Sequence, residues 1–503
     1  MDNTGNIESN KRHGYTDKAI SGGFWIMAVR ITQKTLGFLR TIILARFLAP
    51  NDFGLMGIAL LALSTIELFS TTGFRSKLIQ KTGETRDYLD TAWTLELIRE
   101  IGIAIILLMA AKPIAIFFGN PAAVHVIRTL ALANFVWGFN NIGTVLWRKS
   151  LNLKKEFVWQ LSGGICDFGV AVVLAFLWKD VRALVYGFLA GQTVRVIMGY
   201  ILCDYRPKIA LDIEKAKELF SFGKWVLLSS IVVFLSTQGD DILLGKIMGV
   251  TALGFYQMAY KISNLTTTEI THSISLVALP VYSKIQNELP RLRDGFFRTL
   301  RLTLTVSVPM TILIIVLMPD FVVVILGTKW NPVIFPAQIL ALSGFIRSVM
   351  ASFGPVFVAI GKPRYDFEMN LIRLGILALT IYPLMATWGI EGASISVLIS
   401  HLLPLPFSYM KLKGLFQIGM KDVFSNTFPT LLSAAFTVAI YFLIGPFLPS
   451  GNFQGLIIKA LVVSVSFAII LLLIDRIMQL NYLSDIKTMA KKLGAKFGKR
   501  QSI

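Results

Sequence analysis

Charge is scarce in this 503-residue chain: Asp, Glu, Lys and Arg make up only 16% of it, where a soluble domain carries roughly 25%. That shortage excludes an ordinary water-facing surface. Acid is scarcer than base, with 29 Asp and Glu against 49 Lys and Arg, a net charge of +20. Cysteine is nearly missing, and the two present, Cys166 and Cys203, lie in or beside apolar runs. They read as small packing residues, so no disulfide framework is expected. No Gly-rich loop followed by Lys-Ser or Lys-Thr occurs, which argues against direct use of ATP. No cofactor and no metal site are expected. The first 17 residues are polar, and the first apolar segment carries Arg30 and Lys34 without a small-residue cleavage site. A removable signal peptide is therefore not expected. Long loops are missing too, none exceeding about 20 residues, so no separate aqueous domain is expected.

What the chain has is apolar length. Runs of about 20 hydrophobic residues recur almost from end to end, the signature of repeated membrane crossings. Lipid offers the backbone no partners, so spans must be helices or a closed barrel, and these runs are too long and continuous for barrel strands. The runs predict an all-α polytopic membrane protein of about fourteen helices. They lie near 20–47, 52–76, 90–111, 122–147, 157–178, 183–203, 219–244, 252–279, 300–327, 333–360, 367–387, 391–410, 427–447 and 455–475. Alternate loops on this plan hold 33 Lys and Arg on one side and 6 on the other. Such an asymmetry marks the cytoplasmic side and places both termini there. It also accounts for the positive charge without a nucleic-acid partner, and none is expected. In the basic tail Met489, Leu493 and Phe497 are spaced as one helical face among lysines. Two readings of it are open, a helix lying on anionic lipid and a merely solvated tail.

The first and seventh spans align without a gap at an offset of 200. Gly23 matches Gly223, Trp25 matches Trp225, Leu44 matches Leu244, Arg46 matches Lys246, and Gly54 matches Gly254. At an offset of 210, Leu130-Ala131-Leu132 with Phe135 matches Leu340-Ala341-Leu342 with Phe345. Six helices is an even number, so both repeats enter the membrane in the same direction, related by an axis along its normal. The expected domains are a cytoplasmic tail (1–17), an N-lobe of six helices (18–205), a C-lobe of six (206–411), two further helices (412–478) and a basic cytoplasmic tail (479–503).

Three stretches point to a family. Ser21-Gly22-Gly23-Phe24-Trp25, Leu44-Ala45-Arg46-Phe47-Leu48 and Asp52-Phe53-Gly54-Leu55 resemble the polysaccharide-exporting flippases of the MOP (multidrug/oligosaccharidyl-lipid/polysaccharide) superfamily. Gly327-Thr328-Lys329-Trp330-Asn331-Pro332 is similar to a feature of the Wzx-type members related to colanic-acid export. The resemblance implies a MATE-like fold of six, six and two helices in the bacterial inner membrane. It implies transport of an undecaprenyl-diphosphate-linked oligosaccharide from the cytoplasmic to the outer leaflet by alternating access, for exopolysaccharide or O-antigen-type surface polysaccharide. It implies membrane lipid and a polysaccharide polymerase or export machinery as partners. The alternative on the same fold is a cation-coupled antiporter of drugs or small metabolites. An enzyme is not expected, because the short outer loops hold no His/Asp or paired-carboxylate constellation.

Charges inside spans cost roughly 2.5–3.5 kcal/mol each on insertion scales and mark functional candidates. Arg30 and Lys34 share one face of the first span by their i, i+4 spacing. They are expected in a cationic cavity for the anionic headgroup, the other reading being that they snorkel to the cytoplasm or pair with a carboxylate. Arg99, Lys261 and Arg347 are further candidates for that basic surface, although Glu96 and Glu100 flank Arg99 within one turn. Arg40 and Asp240 are repeat equivalents, with Asp241 alongside, and pairing of Arg40 with either Asp is expected to gate the outer side. Separate contacts with headgroups or loops are the competing reading. Glu67, Glu269 and His272 are candidates for ion coupling. Asp167, Arg195, Arg373 and His401 receive no role.

Overall fold

The computed structural model describes residues 4–70, 74–80, 86–150, 152–214 and 223–478, and these contain helices, turns and extended links but no strand. The chain forms two compact units, Met1–Gly254 and Phe255–Ile503. The first holds α1 (Thr4–Phe47), α2 (Pro50–Phe69), α3 (Phe74–Gln80), α4 (Arg86–Phe117), α5 (Ala123–Gly138), α6 (Val145–Lys149), α7 (Leu153–Trp178), α8 (Arg182–Leu202) and α9 (Gly223–Ile247). A long helix, α10 (Val250–Lys284), starts in the first unit and continues into the second. The second unit then holds α11 (Leu289–Phe321), α12 (Ile334–Met350), α13 (Gly354–Ala359), α14 (Pro363–Leu402), α15 (Pro404–Phe416), α16 (Met420–Ile444) and α17 (Phe453–Met478). The tail with Met489, Leu493 and Phe497 lies outside the described residues.

Among the described residues, nine helical stretches are long and apolar enough to cross a bilayer. They do not by themselves establish a total of fourteen. Eight coincide with single expected spans, and the ninth, Pro363–Phe416, covers two. Its break falls at Gly389, whose φ of 61° and ψ of −136° interrupt α14. That backbone region is essentially reserved for glycine. Gly389→Ala is expected to destabilise the protein by about 1–3 kcal/mol, read as a lowered thermal midpoint of the detergent-purified chain.

The surface is apolar where a soluble protein's would be polar. Met109, Ile116, Leu379 and Leu443 are each more than 70% exposed, as lipid-facing side chains are. A core in the second unit gathers Tyr282, Phe296, Phe353 and Phe357 with Val463 and Phe467 of α17. The same helix is fixed by a buried ion pair, Lys459 Nζ donating to Asp320 of α11 at 2.7 Å.

The Asp52-Phe53-Gly54 stretch has two structural tasks. Asp52 accepts the Ala49 N–H at 2.8 Å, satisfying a donor at the start of α2. Gly54 then lets α2 cross α10 almost backbone to backbone. A Cβ at Gly54 would stand 1.9 Å from the Val250 carbonyl oxygen, and one at Gly254 would stand 2.0 Å from that of Pro50. Between them Thr251 Oγ1 donates to Asn51 Oδ1 at 3.4 Å. Each position thus meets the repeat equivalent of its neighbour, 50 with 254 and 54 with 250, and 51 meets its own equivalent, 251.

After α8 the chain runs extended along the start of α4. The Lys208 N–H donates to Asp90 at 2.9 Å, Ala210 N–H to Thr94 Oγ1 at 3.0 Å, and Asp212 N–H to Thr91 Oγ1 at 3.3 Å. The Tyr205 hydroxyl also bonds Asp90, and burial together with that carboxylate pushes its pKa up. Asp90→Ala removes two of these anchors, each worth about 1 kcal/mol or more. Trypsin is expected to cut after Lys208 about 30-fold faster in that variant.

Candidate functional site

The charged pocket of the first unit is built from α1, α7 and α8. On α1, Val29, Gln33, Leu36 and Arg40 recur at helical spacing along one face, and on α7, Phe157, Gln160, Gly164 and Asp167 do the same. Arg195 reaches in from α8, and the enclosed volume is about 280 Å³. Close packing of α7 on α8 sets the geometry. Gly187 and Gly191 form a G-x-x-x-G pair, and a Cβ at Gly191 would press within 2.7 Å of the Asp167 Cβ. Any larger residue there would push Asp167 away from Arg195.

Arg40 Nη2 lies 3.0 Å from Asp167 Oδ1 and also donates to the Leu184 carbonyl at 3.2 Å. Arg195 Nη1 donates to Gln192 at 3.0 Å, and its own carbonyl accepts the Trp159 indole N–H at 2.7 Å. Gln33 donates to Gln160 across the pocket at 2.9 Å. Two guanidiniums and one carboxylate therefore line one polar pocket, leaving a net positive charge. Guanidinium pairs suit bidentate recognition of phosphate and carboxylate oxygens.

The sequence-based candidates scatter around this pocket. Arg30 and Lys34 lie half-buried on α1 but are not among the lining residues. At 100° per residue they are turned off the face that carries Val29, Gln33 and Arg40. Arg99 bonds Ser70 Oγ at 3.2 Å and pairs with Glu100 at 3.3 Å. Glu96 is taken instead by Arg75, which holds both its oxygens at 2.9–3.3 Å. Glu67 lies in the field of Glu100 and Arg99. In the second unit Lys261 is exposed, and Arg347 donates to Asn264. The side chains of Glu269 and His272 lie outside the described residues. Asp240 is buried and Asp241 half-buried on α9, while the carboxylate partner of Arg40 in this conformation is Asp167.

Asp167 and Arg195 received no role from the sequence, although both are charges inside spans. The signal that singles them out is the small-residue ladder beside them, Gly163 on α7 and Gly187 and Gly191 on α8. A second buried polar cluster sits in the other unit, where His401 Nδ1 lies 2.9 Å from the Val397 carbonyl and 3.1 Å from Ser343 Oγ.

Comparison with known proteins follows this geometry. Residues 43–335 match the family described as polysaccharide biosynthesis protein. The chain is 26% identical over 397 residues to the lipopolysaccharide biosynthesis protein WzxC of Escherichia coli K12, covering 78% of this chain and 80% of that one. It is 22% identical over 482 residues to the succinoglycan biosynthesis transport protein ExoT of Rhizobium meliloti, covering 94% and 96%. Among solved structures, the lipid II flippase MurJ in an inward closed conformation superposes with a TM-score of 0.70 at 14% identity, covering 90% of this chain and 99% of that one. An inward-facing MATE-family multidrug transporter of the MOP superfamily gives 0.61 at 17% identity, covering 77% and 96%. The fold is thus MATE-like, and the chain is a multi-pass membrane protein. With its family model matched over more than half its length, this chain belongs to the polysaccharide biosynthesis protein family.

Proposed function

We propose that this protein flips an undecaprenyl-diphosphate-linked oligosaccharide from the cytoplasmic to the outer leaflet of the bacterial inner membrane, without enzymatic chemistry. The observation that carries the reading is the pocket lined by Arg40, Arg195 and Asp167, in which Arg40 pairs with Asp167. A diphosphate is a strong anion, and a cavity with surplus guanidinium charge offsets its removal from water. The names of relatives acting in lipopolysaccharide and succinoglycan biosynthesis support the same substrate class.

On this reading the chain divides into six helices (18–205), six helices (206–411) and two (412–478), with both termini in the cytoplasm. The reciprocal meeting of Pro50 and Gly54 with Val250 and Gly254 supports the repeat. Arg30, Lys34, Arg99, Lys261 and Arg347 extend the cationic surface, and Glu67, Glu269 and His272 serve ion coupling. Arg40 exchanges Asp167 for Asp240 or Asp241 when the outer side closes. That gate is abandoned if reversing the charges at Arg40 and Asp240 together fails to rescue the single reversals. A polysaccharide polymerase or export machinery takes over the flipped product.

The test is headgroup translocation in proteoliposomes with a diphosphate-linked oligosaccharide. Arg195→Ala and the Arg30→Ala/Lys34→Ala pair are each expected to lower the rate at least about tenfold, the size of one lost charge-assisted contact. No movement with several sugars under any ion gradient would sink the reading in favour of a small-molecule antiporter.

A further inference from the structure

The second unit carries a cleft that the transport reading does not use. It opens between the first turn of α14 and the last turns of α15, with a volume of about 500 Å³. Three cations converge on it: Lys362, Arg364 and Lys411. One carboxylate stands among them, Glu368, which accepts from Arg364 Nε at 2.7 Å and pairs with Lys411 Nζ at 3.4 Å. The cleft keeps a surplus of positive charge after that neutralisation.

These cations are held in place. The Lys411 ammonium lies 4.4 Å from the Tyr365 ring centroid and 4.8 Å from that of Phe407. Lys362 lies 5.7 Å from the same tyrosine ring. Cation–π contact restrains the usual freedom of a lysine tip, so the charges are gathered before any ligand arrives. A purely solvated positive-inside loop needs no such arrangement. The flanks are apolar and exposed: Phe367 is 55% and Met410 is 67% accessible. Charge in the hollow with apolar side chains beside it is the pattern that suits a boundary between headgroup and hydrocarbon.

We infer that this cleft binds the phosphate of an anionic lipid, with the lipid's chain lying along Phe367 and Met410. Two lipids carry that chemistry in such a membrane: a glycerophospholipid with an anionic headgroup, and a polyprenyl diphosphate. The charged hollow takes the phosphate oxygens, which Lys362, Arg364 and Lys411 contact together.

The test is lipid retention by the purified full chain, read by native mass spectrometry with phosphatidylglycerol, phosphatidylcholine and undecaprenyl diphosphate offered separately. Phosphatidylcholine, whose choline masks its phosphate, is expected to be held least. Lys362→Ala/Arg364→Ala is expected to weaken the anionic lipid about 30-fold, the effect of two interfacial cations. Both residues are exposed, so the variant is expected to fold, and a thermal midpoint equal to the parent's checks this. Lys413→Ala/Lys421→Ala removes the same charge from exposed positions outside the cleft and is expected to leave retention unchanged. Weakening of phosphatidylglycerol identifies a membrane phospholipid as the occupant, and weakening of the diphosphate identifies the carrier lipid. Retention of both at parental affinity in the cleft variant overturns the inference, as does an equal loss in the outside variant.

Discussion

Asp167→Ala is expected to cost the protein about 3–5 kcal/mol of stability, the usual effect of orphaning a buried charge. It is also expected to abolish surface-polysaccharide export in cells that depend on this chain. Arg40 is paired with Asp167 at 3.0 Å, and its other bond is to a backbone carbonyl. Arg195 lines the same pocket as Asp167. Two guanidiniums would then repel each other in a cavity of about 280 Å³. The double variant Arg40→Met/Asp167→Leu removes both members of the ion pair, so it is expected to recover much of the stability but none of the export. Thermal unfolding in detergent and a complementation assay separate the two effects. A single variant as stable as the parent would mean that the ion pair does not hold the pocket together.

The second large effect is expected at the crossing of α2 and α10. Asn51→Cys with Thr251→Cys, in a chain whose Cys166 and Cys203 are replaced by alanine, is expected to form a disulfide readily on mild oxidation. The native side chains already meet at 3.4 Å, and the flanking glycines bring the backbones as close as a disulfide needs. Alternating access requires packed elements to separate and re-form during each cycle. Export is therefore expected to stop in the oxidised protein and to return on reduction. Undiminished export by fully cross-linked protein would show that this crossing stays shut throughout the cycle.

Much of this architecture was legible in the chain because lipid imposes one rule, that every spanning backbone satisfies itself. Apolar length alone located the spans that became α2, α4, α7, α8, α16 and α17. The gap expected between the spans 367–387 and 391–410 coincides with the break in α14 at Gly389. The offset-200 repeat likewise carried spatial meaning, since Gly54 and Gly254 both sit at the α2–α10 crossing. Charge pairing was not legible. The i, i+4 rule puts Arg30 beside Lys34, yet it is silent on which face of α1 turns toward α7. Sequence proximity grouped Glu96 with Arg99 and Glu100, whereas Arg75 on the short α3 claimed Glu96. Repeat equivalence set Arg40 against Asp240, whereas the rotation of α7 presented Asp167. Which charges meet is decided by helix rotation and neighbour choice, and neither is written in spacing along one helix.

The α2–α10 crossing also gives the sequence repeat a physical form. Position 50 touches 254 while 54 touches 250, and 51 touches 251. Two identical surfaces related by a two-fold axis make contacts of this reciprocal kind. Reciprocal contacts at an offset of 200 are what two matching segments make when they pack against each other. Away from the crossing the matching positions differ, Arg46 answering to Lys246 and Arg40 to Asp240. The glycines at the crossing have no such freedom, because a methyl group on either one collides with the opposite backbone.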